Sequence, residues 1–176
     1  HLVKKRGELM GKAENGAMAA VIGLQAGRVA PILQDNGLEE IDVANFNSAM
    51  QTVISGPSDL VKKAGPIFEA AGAEMYIPLP VSAAFHSRYM APAAEEFAKF
   101  LADFHFQPTM APVISNVTAR PYPQDAAATN TPELLVKQIT SPVRWTDSVR
   151  YMRGRAGGAE KFVEVGPGAI LTRLVQ

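Results

Sequence analysis

Between residues 16 and 81 the chain lays out six short segments whose order leaves few ways to fold. Met18 to Leu24 is an apolar run of strand length. Ala26 to Asn36 has helical spacing and ends at Gly37, a residue suited to the left-handed turn after a helix. Ile41 to Phe46 and Gln51 to Ser55 read as two strands, with a hairpin turn near Asn47-Ser48. Ser58-Asp59 reads as the cap of a second helix running to Ala71, with Gly72 behind it, and Glu74 to Leu79 closes the set as a strand. Pro31 and Gly65-Pro66 conflict with this pattern. A proline inside a helix removes a hydrogen bond, so both helices are expected to kink or split there.

The order β-α-β-β-α-β is that of the ferredoxin-like split unit. Outside it the pattern changes. Leu2, Val3, Leu9 and Met10 form a helical stripe with Arg6 on the same side, but no Ser, Thr, Asp or Asn precedes it as a cap. Two explanations stand side by side: a chain cut from a longer domain, or a frayed terminal helix. Ala83 to Met90 reads as a loop, followed by a helix with Pro92 in its first turn and Ala94, Phe97, Ala98, Leu101 and Phe104 facing inward. Pro112 to Asn116 reads as a short strand, Pro121 to Asn130 as a loop, and Thr131-Pro132 as the capped start of a helix stopped by Ser141-Pro142. Trp145, Val149 and Met152 mark another helix, Phe162 to Val165 a strand, and Gly166-Pro167-Gly168 a turn into a last short helix. The fold class expected is α/β: a partial larger subdomain (residues 1–15 and 82–176) with a ferredoxin-like small subdomain (residues 16–81) inserted in it.

Composition narrows the function. Lys+Arg 17 balance Asp+Glu 17, so neither nucleic acid nor an anionic membrane is an expected partner. No apolar run approaches the roughly 20 residues of a membrane span. At 47% hydrophobic and 19% charged, the chain has the material for a core. Cysteine is absent, which excludes disulfides, thiolate zinc sites and a cysteine nucleophile from these residues and is consistent with a cytoplasmic location. His1, His86 and His105 are far apart, so no protein-held metal is expected.

His86 is the leading candidate for chemistry. It stands in Ala84-Phe85-His86-Ser87-Arg88, after a strand and before a helix, where α/β proteins place catalytic groups and where a histidine can act as a base near neutral pH. The bland alternative, a satisfied structural histidine, is commoner for an arbitrary His. His105 takes that reading outright. Ser87 is adjacent to His86, and neighbours in sequence seldom point at each other, so the two are not paired as nucleophile and base. No G-x-S-x-G elbow occurs, and Gly166-Pro167-Gly168 lacks the Lys-Ser/Thr of a phosphate loop. Arg6 is either a snorkelling surface residue or a fork for a carboxylate.

Five motifs run in one order: Arg6-Gly7-x-x-Met10, Ala84-Phe85-His86-Ser87-x-x-Met90, Ile114-Ser115-Asn116-Val117-Thr118, Gln138-x-x-x-Pro142-Val143-x-Trp145 and Glu164-Val165-Gly166-Pro167-Gly168. Together they resemble malonyl-CoA:acyl carrier protein transacylases and the acyltransferase domains of polyketide and fatty-acid synthases. Gly16 to Leu24, and Asn45-x-Asn47-Ser48 through Ile54-Ser55-Gly56, fit that family's small subdomain. In detail the chain is most similar to discrete, trans-acting acyltransferases of polyketide synthases.

The resemblance implies a ping-pong transfer of a malonyl group from malonyl-CoA, through an acyl-serine, to the phosphopantetheine thiol of an acyl carrier protein, with no metal or bound cofactor. It makes His86 the general base and acid, Arg6 the partner of the malonyl carboxylate, and the Gln138 backbone carbonyl the group that orients His86. Asn45, Asn47 and Asn116 would line the cleft. Phe85 matches malonyl-specific members, whose motif ends Ala-Phe-His where methylmalonyl-specific members carry Ala-Ser-His. Ala83 departs from the histidine usual at the start of that motif. One methyl is worth only about 1–3 kcal/mol of discrimination, so a preference for malonyl is the expectation. The resemblance makes this chain the C-terminal part of such a domain, with an α/β-hydrolase-like larger subdomain that lacks its first strands. The family's G-H-S-x-G elbow lies upstream of the arginine helix, so the nucleophile is expected outside this chain. A preceding segment is expected in cis or on a partner chain. Two rivals are a non-catalytic carrier-docking module and a related acyl hydrolase. The joint presence of Arg6, His86 and Gln138 favours the transferase. Arg120, Arg144, Arg150 and Arg153 are the basic residues available to an acidic carrier protein.

Overall fold

The computed structural model describes residues 1–123, 130–154 and 161–175. Its first half is a four-stranded sheet with two helices on one face. The strands are β1 (Gly16–Ile22), β2 (Asp42–Ser48), β3 (Gln51–Pro57) and β4 (Met75–Pro78), and the helices α2 (Ala26–Asp35) and α3 (Ser58–Ala70) connect them; α1 (Leu2–Met10) precedes the sheet. Strand order is β2-β3-β1-β4 with every pair antiparallel, the ferredoxin-like arrangement expected from the sequence.

Alternation along β1 explains why the sheet is covered on both faces. Ala19 and Val21 point to the helices, joining Ile54, Val29, Leu33, Val61 and Phe68 in the main core. Met18 and Ala20 point the other way, with Ala44 and Val53, and meet Leu79, Val81 and Phe85. The second face is where the rest of the chain docks. There α4 (Ala91–Leu101) and α5 (Thr131–Thr140) pack with α1 around Leu9, Met10, Met90, Phe97, Leu101 and Ile139. A 3-10 turn over Arg88–Met90, which makes the end of the expected Ala83–Met90 loop helical, the two-residue strands β5 (Ile114–Ser115) and β6 (Arg120–Pro121), then α6 (Trp145–Gly154) and α7 (Ile170–Leu174), complete the described elements.

Several local expectations are corrected. Neither helix splits at its proline: Pro31 and Pro66 lie inside continuous α2 and α3. Both prolines, and Gly27 and Lys62 whose carbonyls they leave without an N–H partner, are exposed, so water can take those carbonyls. The hairpin turn falls at Ala49-Met50, because β2 continues through Ser48, whose Oγ accepts from the Met50 N–H at 3.2 Å. Ser58 does not cap α3. It is the first helical residue, and its N–H donates to the Asn15 carbonyl at 3.2 Å. Thr131 likewise opens α5 without a side-chain cap. In α4 it is Ala93, not Ala98, that is buried, and in α1 Val3 is 86% exposed.

Phe162 to Val165 is not a strand. The segment pairs with no strand among the described residues, and Val163 and Val165 are largely exposed. Its order comes from Glu164, whose carboxylate accepts from the N–H of Leu171 at 3.1 Å and from the N–H and hydroxyl of Thr172 at 2.9 and 2.7 Å. Those bonds satisfy donors at the start of α7 and hold the Glu164 pKa below its usual range. The expected loop from Pro121 to Asn130 lies partly outside the described residues.

Candidate active site

His86 is held in a backbone conformation uncommon outside glycine. Its φ is +58°, in the left-handed region where a Cβ is crowded. The loop around it is fixed from three sides. Ala83, Ala84 and Met90 are buried. Ser87, also buried, donates its hydroxyl to the Ala84 carbonyl and accepts from the Tyr89 N–H at 3.3 Å, so it serves the turn and has no bond to His86. From below, the Gly16 N–H donates to the Ser82 carbonyl at 3.2 Å, and a Cβ on Gly16 would lie 2.2 Å from the Ala84 nitrogen. Only glycine lets β1 pass that close.

The His86 Nδ1 donates to the Gln138 carbonyl across 3.0 Å. A carbonyl can only accept, which places the proton on Nδ1 and leaves Nε2 as the basic atom. The sequence explains why that carbonyl is available. In a helix the Gln138 oxygen would take the N–H four residues on, and that residue is Pro142, which has none. α5 ends at Thr140, and Ser141 is extended ahead of the proline (φ −106°, ψ 152°).

Arg6 approaches from α1. It shares a face with Leu2 and Met10, four residues to either side, both of which pack into the helical core. Its Nε is buried with no hydrogen-bond partner, and among the described residues no carboxylate pairs with its guanidinium. Burial lowers the Arg6 pKa, and also lowers that of His86, as the larger of two causes. The Arg6 charge is the second, while the Gln138 and Ser141 carbonyls push the His86 value the other way. The result is a neutral imidazole near an uncompensated cation. Phe85 packs against both the open face of the sheet and the helical core, between the two halves of the molecule.

The asparagines lie along a different seam. Asn45 is bridged in parallel to Val143, with the Val143 N–H donating to the Ala44 carbonyl at 2.8 Å and the Phe46 N–H donating to the Val143 carbonyl at 2.9 Å. Asn116 accepts from the Arg144 N–H through its backbone carbonyl at 3.2 Å. Asn47 lines a cavity with Thr146, Arg150 and Arg153. None of the three makes a side-chain hydrogen bond to His86 or Arg6 among the described residues. His105 is exposed beyond α4. No group of His, Cys, Asp and Glu among the described residues could hold a metal. No helix there is long and apolar enough to cross a membrane.

A ferredoxin-like sheet docked on helices, a backbone-oriented histidine and an unpaired arginine define a class of protein. The chain belongs to the acyl transferase domain family, which matches it over residues 1–176. It is 51% identical over 175 residues to the polyketide biosynthesis malonyl CoA-acyl carrier protein transacylase BaeC of Bacillus velezensis, covering 99% of this chain and 58% of that protein. Its structure matches that of malonyl CoA-acyl carrier protein transacylase from Burkholderia pseudomallei with a TM-score of 0.88 and 40% identity, over 99% of this chain and 59% of the other. A malonyl-transacylase in complex with a type II polyketide synthase acyl-carrier protein matches with a TM-score of 0.90 and 35% identity, over 99% and 56%. The chain thus spans a little over half the length of these relatives. Its fold is mixed α/β, with the ferredoxin-like sheet set into a larger α/β region.

Gly16, Arg88 and Pro142 stood in the sequence motifs with no role at the site assigned to them, and Asp42 stood only inside a strand. Pro142 carried a legible signal in its spacing from Gln138. The Arg88–Asp42 contact spans 46 residues and carried none.

Proposed function

We propose that the chain is part of an acyltransferase that moves a malonyl group from malonyl-CoA to the phosphopantetheine thiol of an acyl carrier protein. The observation that carries this reading is the His86 ring, its Nδ1 occupied by Gln138 and its Nε2 left basic, beside an Arg6 with no carboxylate of its own. In this reading a serine outside the 176 residues is the nucleophile. Its hydroxyl proton passes to His86 Nε2 as the oxygen attacks the thioester carbon. The C–S bond breaks, and the proton goes to the departing CoA sulfur. In the second half the carrier thiol gives its proton to Nε2 and attacks the acyl ester, the C–O bond breaks, and the serine oxygen takes the proton back. Each half is base catalysis by a histidine oriented by a third group.

Arg6 would bind the free carboxylate of the malonyl group through a charge-assisted fork, a partner that also relieves the cost of its own burial. Phe85 would narrow the space for an α-methyl branch. Asn45, Asn47 and Asn116 would lie along the cleft. Residues 1–15 and 82–176 would form part of the larger subdomain and residues 16–81 the insert. A cytoplasmic location belongs to the same reading.

Intact-mass measurement of the whole protein before and after malonyl-CoA tests it. A malonyl-sized increment is expected, lost to acyl carrier protein on its addition and strongly reduced by His86→Ala. No increment in a folded native protein would sink the transferase in favour of a docking module. An increment released to water in preference to carrier would indicate a hydrolase.

A further inference from the structure

The loop that carries His86 is tied across the chain at one point that has no part in the roles given above. Asp42, the first residue of β2, receives the Arg88 backbone N–H at 2.8 Å, and both of its carboxylate oxygens lie 3.0 Å from the Arg88 Nε. Arg88 Nη2 bonds the same carboxylate and also donates to the Glu39 carbonyl at 3.1 Å. Next to it, the Tyr89 hydroxyl donates to the Glu40 carbonyl at 2.9 Å. The short stretch from Glu39 to Asp42, which leads into β2, therefore grips two consecutive residues, Arg88 and Tyr89.

We propose that Asp42 and Arg88 are positioning residues for His86, holding the loop in the conformation that keeps His86 left-handed with its Nδ1 on Gln138. Three facts converge. A left-handed non-glycine residue persists only where its surroundings over-determine it, and His86 is such a residue. Asp42 fixes the Arg88 backbone itself, two residues on, which a side-chain ion pair alone would not do. Arg88 is mostly exposed while Asp42 is largely buried, and their bidentate contact runs from the first residue of β2 to the loop, so it constrains the loop directly. The tie also joins the sheet to the loop, so it sets where the sheet's open face stands relative to the histidine.

The inference rests on His86 being the base, and its test separates the two claims. In the whole protein, His86 would be titrated by NMR, assigned with His86→Gln, alongside malonyl-transfer kinetics and folded fraction. Asp42→Ala removes the backbone and side-chain bonds together and is expected to lower kcat roughly ten- to a hundredfold, with little change in KM for malonyl-CoA, as a misplaced catalytic group does. Arg88→Ala keeps the backbone bond, and Asp42→Asn keeps an acceptor oxygen for it, so both should show intermediate losses. The His86 titration should move up toward its ordinary 6.5 in the same order as the ring gains water. An Asp42→Ala protein with native kcat per folded molecule, or with raised KM and unchanged kcat, would overturn the proposal. If the native protein transfers no malonyl, the functional reading fails and the titration alone decides the tie: a shift in Asp42→Ala supports it, and no shift refutes it.

Discussion

At the scale of single residues, the environment of His86 sets a pH dependence whose sign can be worked out. Burial, and then the Arg6 charge, hold its pKa below 6.5, so the imidazole is neutral in the folded protein at neutral pH. The acidic limb of kcat/KM for malonyl transfer should therefore have its midpoint below 6.5. Arg6→Ala should move that limb upward, because one opposing charge is gone, while malonyl transfer falls and acetyl transfer is spared or improved. Stability follows the same linkage. The unfolded chain binds the proton more readily, so the His86 contribution is intact above the unfolded value and is lost as pH falls through the lower folded one. Denaturant midpoints measured across that window should flatten in His86→Gln. A pH profile with its limb above 6.5, or one that Arg6→Ala leaves in place, would contradict this account.

At the scale of elements, the end of α5 matters more than its length. Pro142 withholds the N–H that Gln138 would otherwise receive, and the freed carbonyl sets the His86 tautomer. Pro142→Ala restores a competing donor for that carbonyl. The expected outcome is a kcat loss of roughly tenfold or more for malonyl transfer, with the fold intact by circular dichroism. NMR should also report mixed Nδ1 and Nε2 protonation of His86. The same element was only partly legible beforehand. Ser141-Pro142 marked where the helix stops, and the resemblance named the Gln138 carbonyl. The reason that carbonyl is free follows from proline chemistry four residues away. Elements read less well where the local signal was ambiguous. Pro31 and Pro66 read as sites of a kink or split, yet the helices stay whole; the solvent-facing side of both prolines could not be seen from spacing alone. Val163 and Val165 looked like a strand because strand propensity says nothing of whether a partner strand is there.

At the scale of the molecule, one face of the sheet is buried under its own helices and the other meets the loop that carries the candidate site. The helix-covered face holds Phe68, fully buried and stacked on Tyr76 with ring centroids 6.1 Å apart. The Tyr76 hydroxyl in turn donates to the Val61 carbonyl. Phe68→Ala should cost about 3–5 kcal/mol by denaturant unfolding, since it removes a ring from a packed core and leaves a cavity. The other face meets Phe85 and the helical core, and its β2 edge is closed by Val143. A stability loss below about 1 kcal/mol would mean that the core collapses around the gap more readily than packing of this kind does.

Local geometry and side-chain identity are enough to give the β-α-β-β-α-β order of residues 16–81 and the residue types that can do the chemistry, since both are written in short-range patterns. Arg6, His86 and Gln138 were visible in that sense as members of spaced motifs. That His86 is left-handed, that Gly16 must yield space to the loop that holds it, and that Asp42 grips Arg88 from 46 positions away emerge only from the packed fold. Those features arise from packing and hydrogen bonds between segments far apart in the chain, and no period, cap or turn signal encodes a contact of that range.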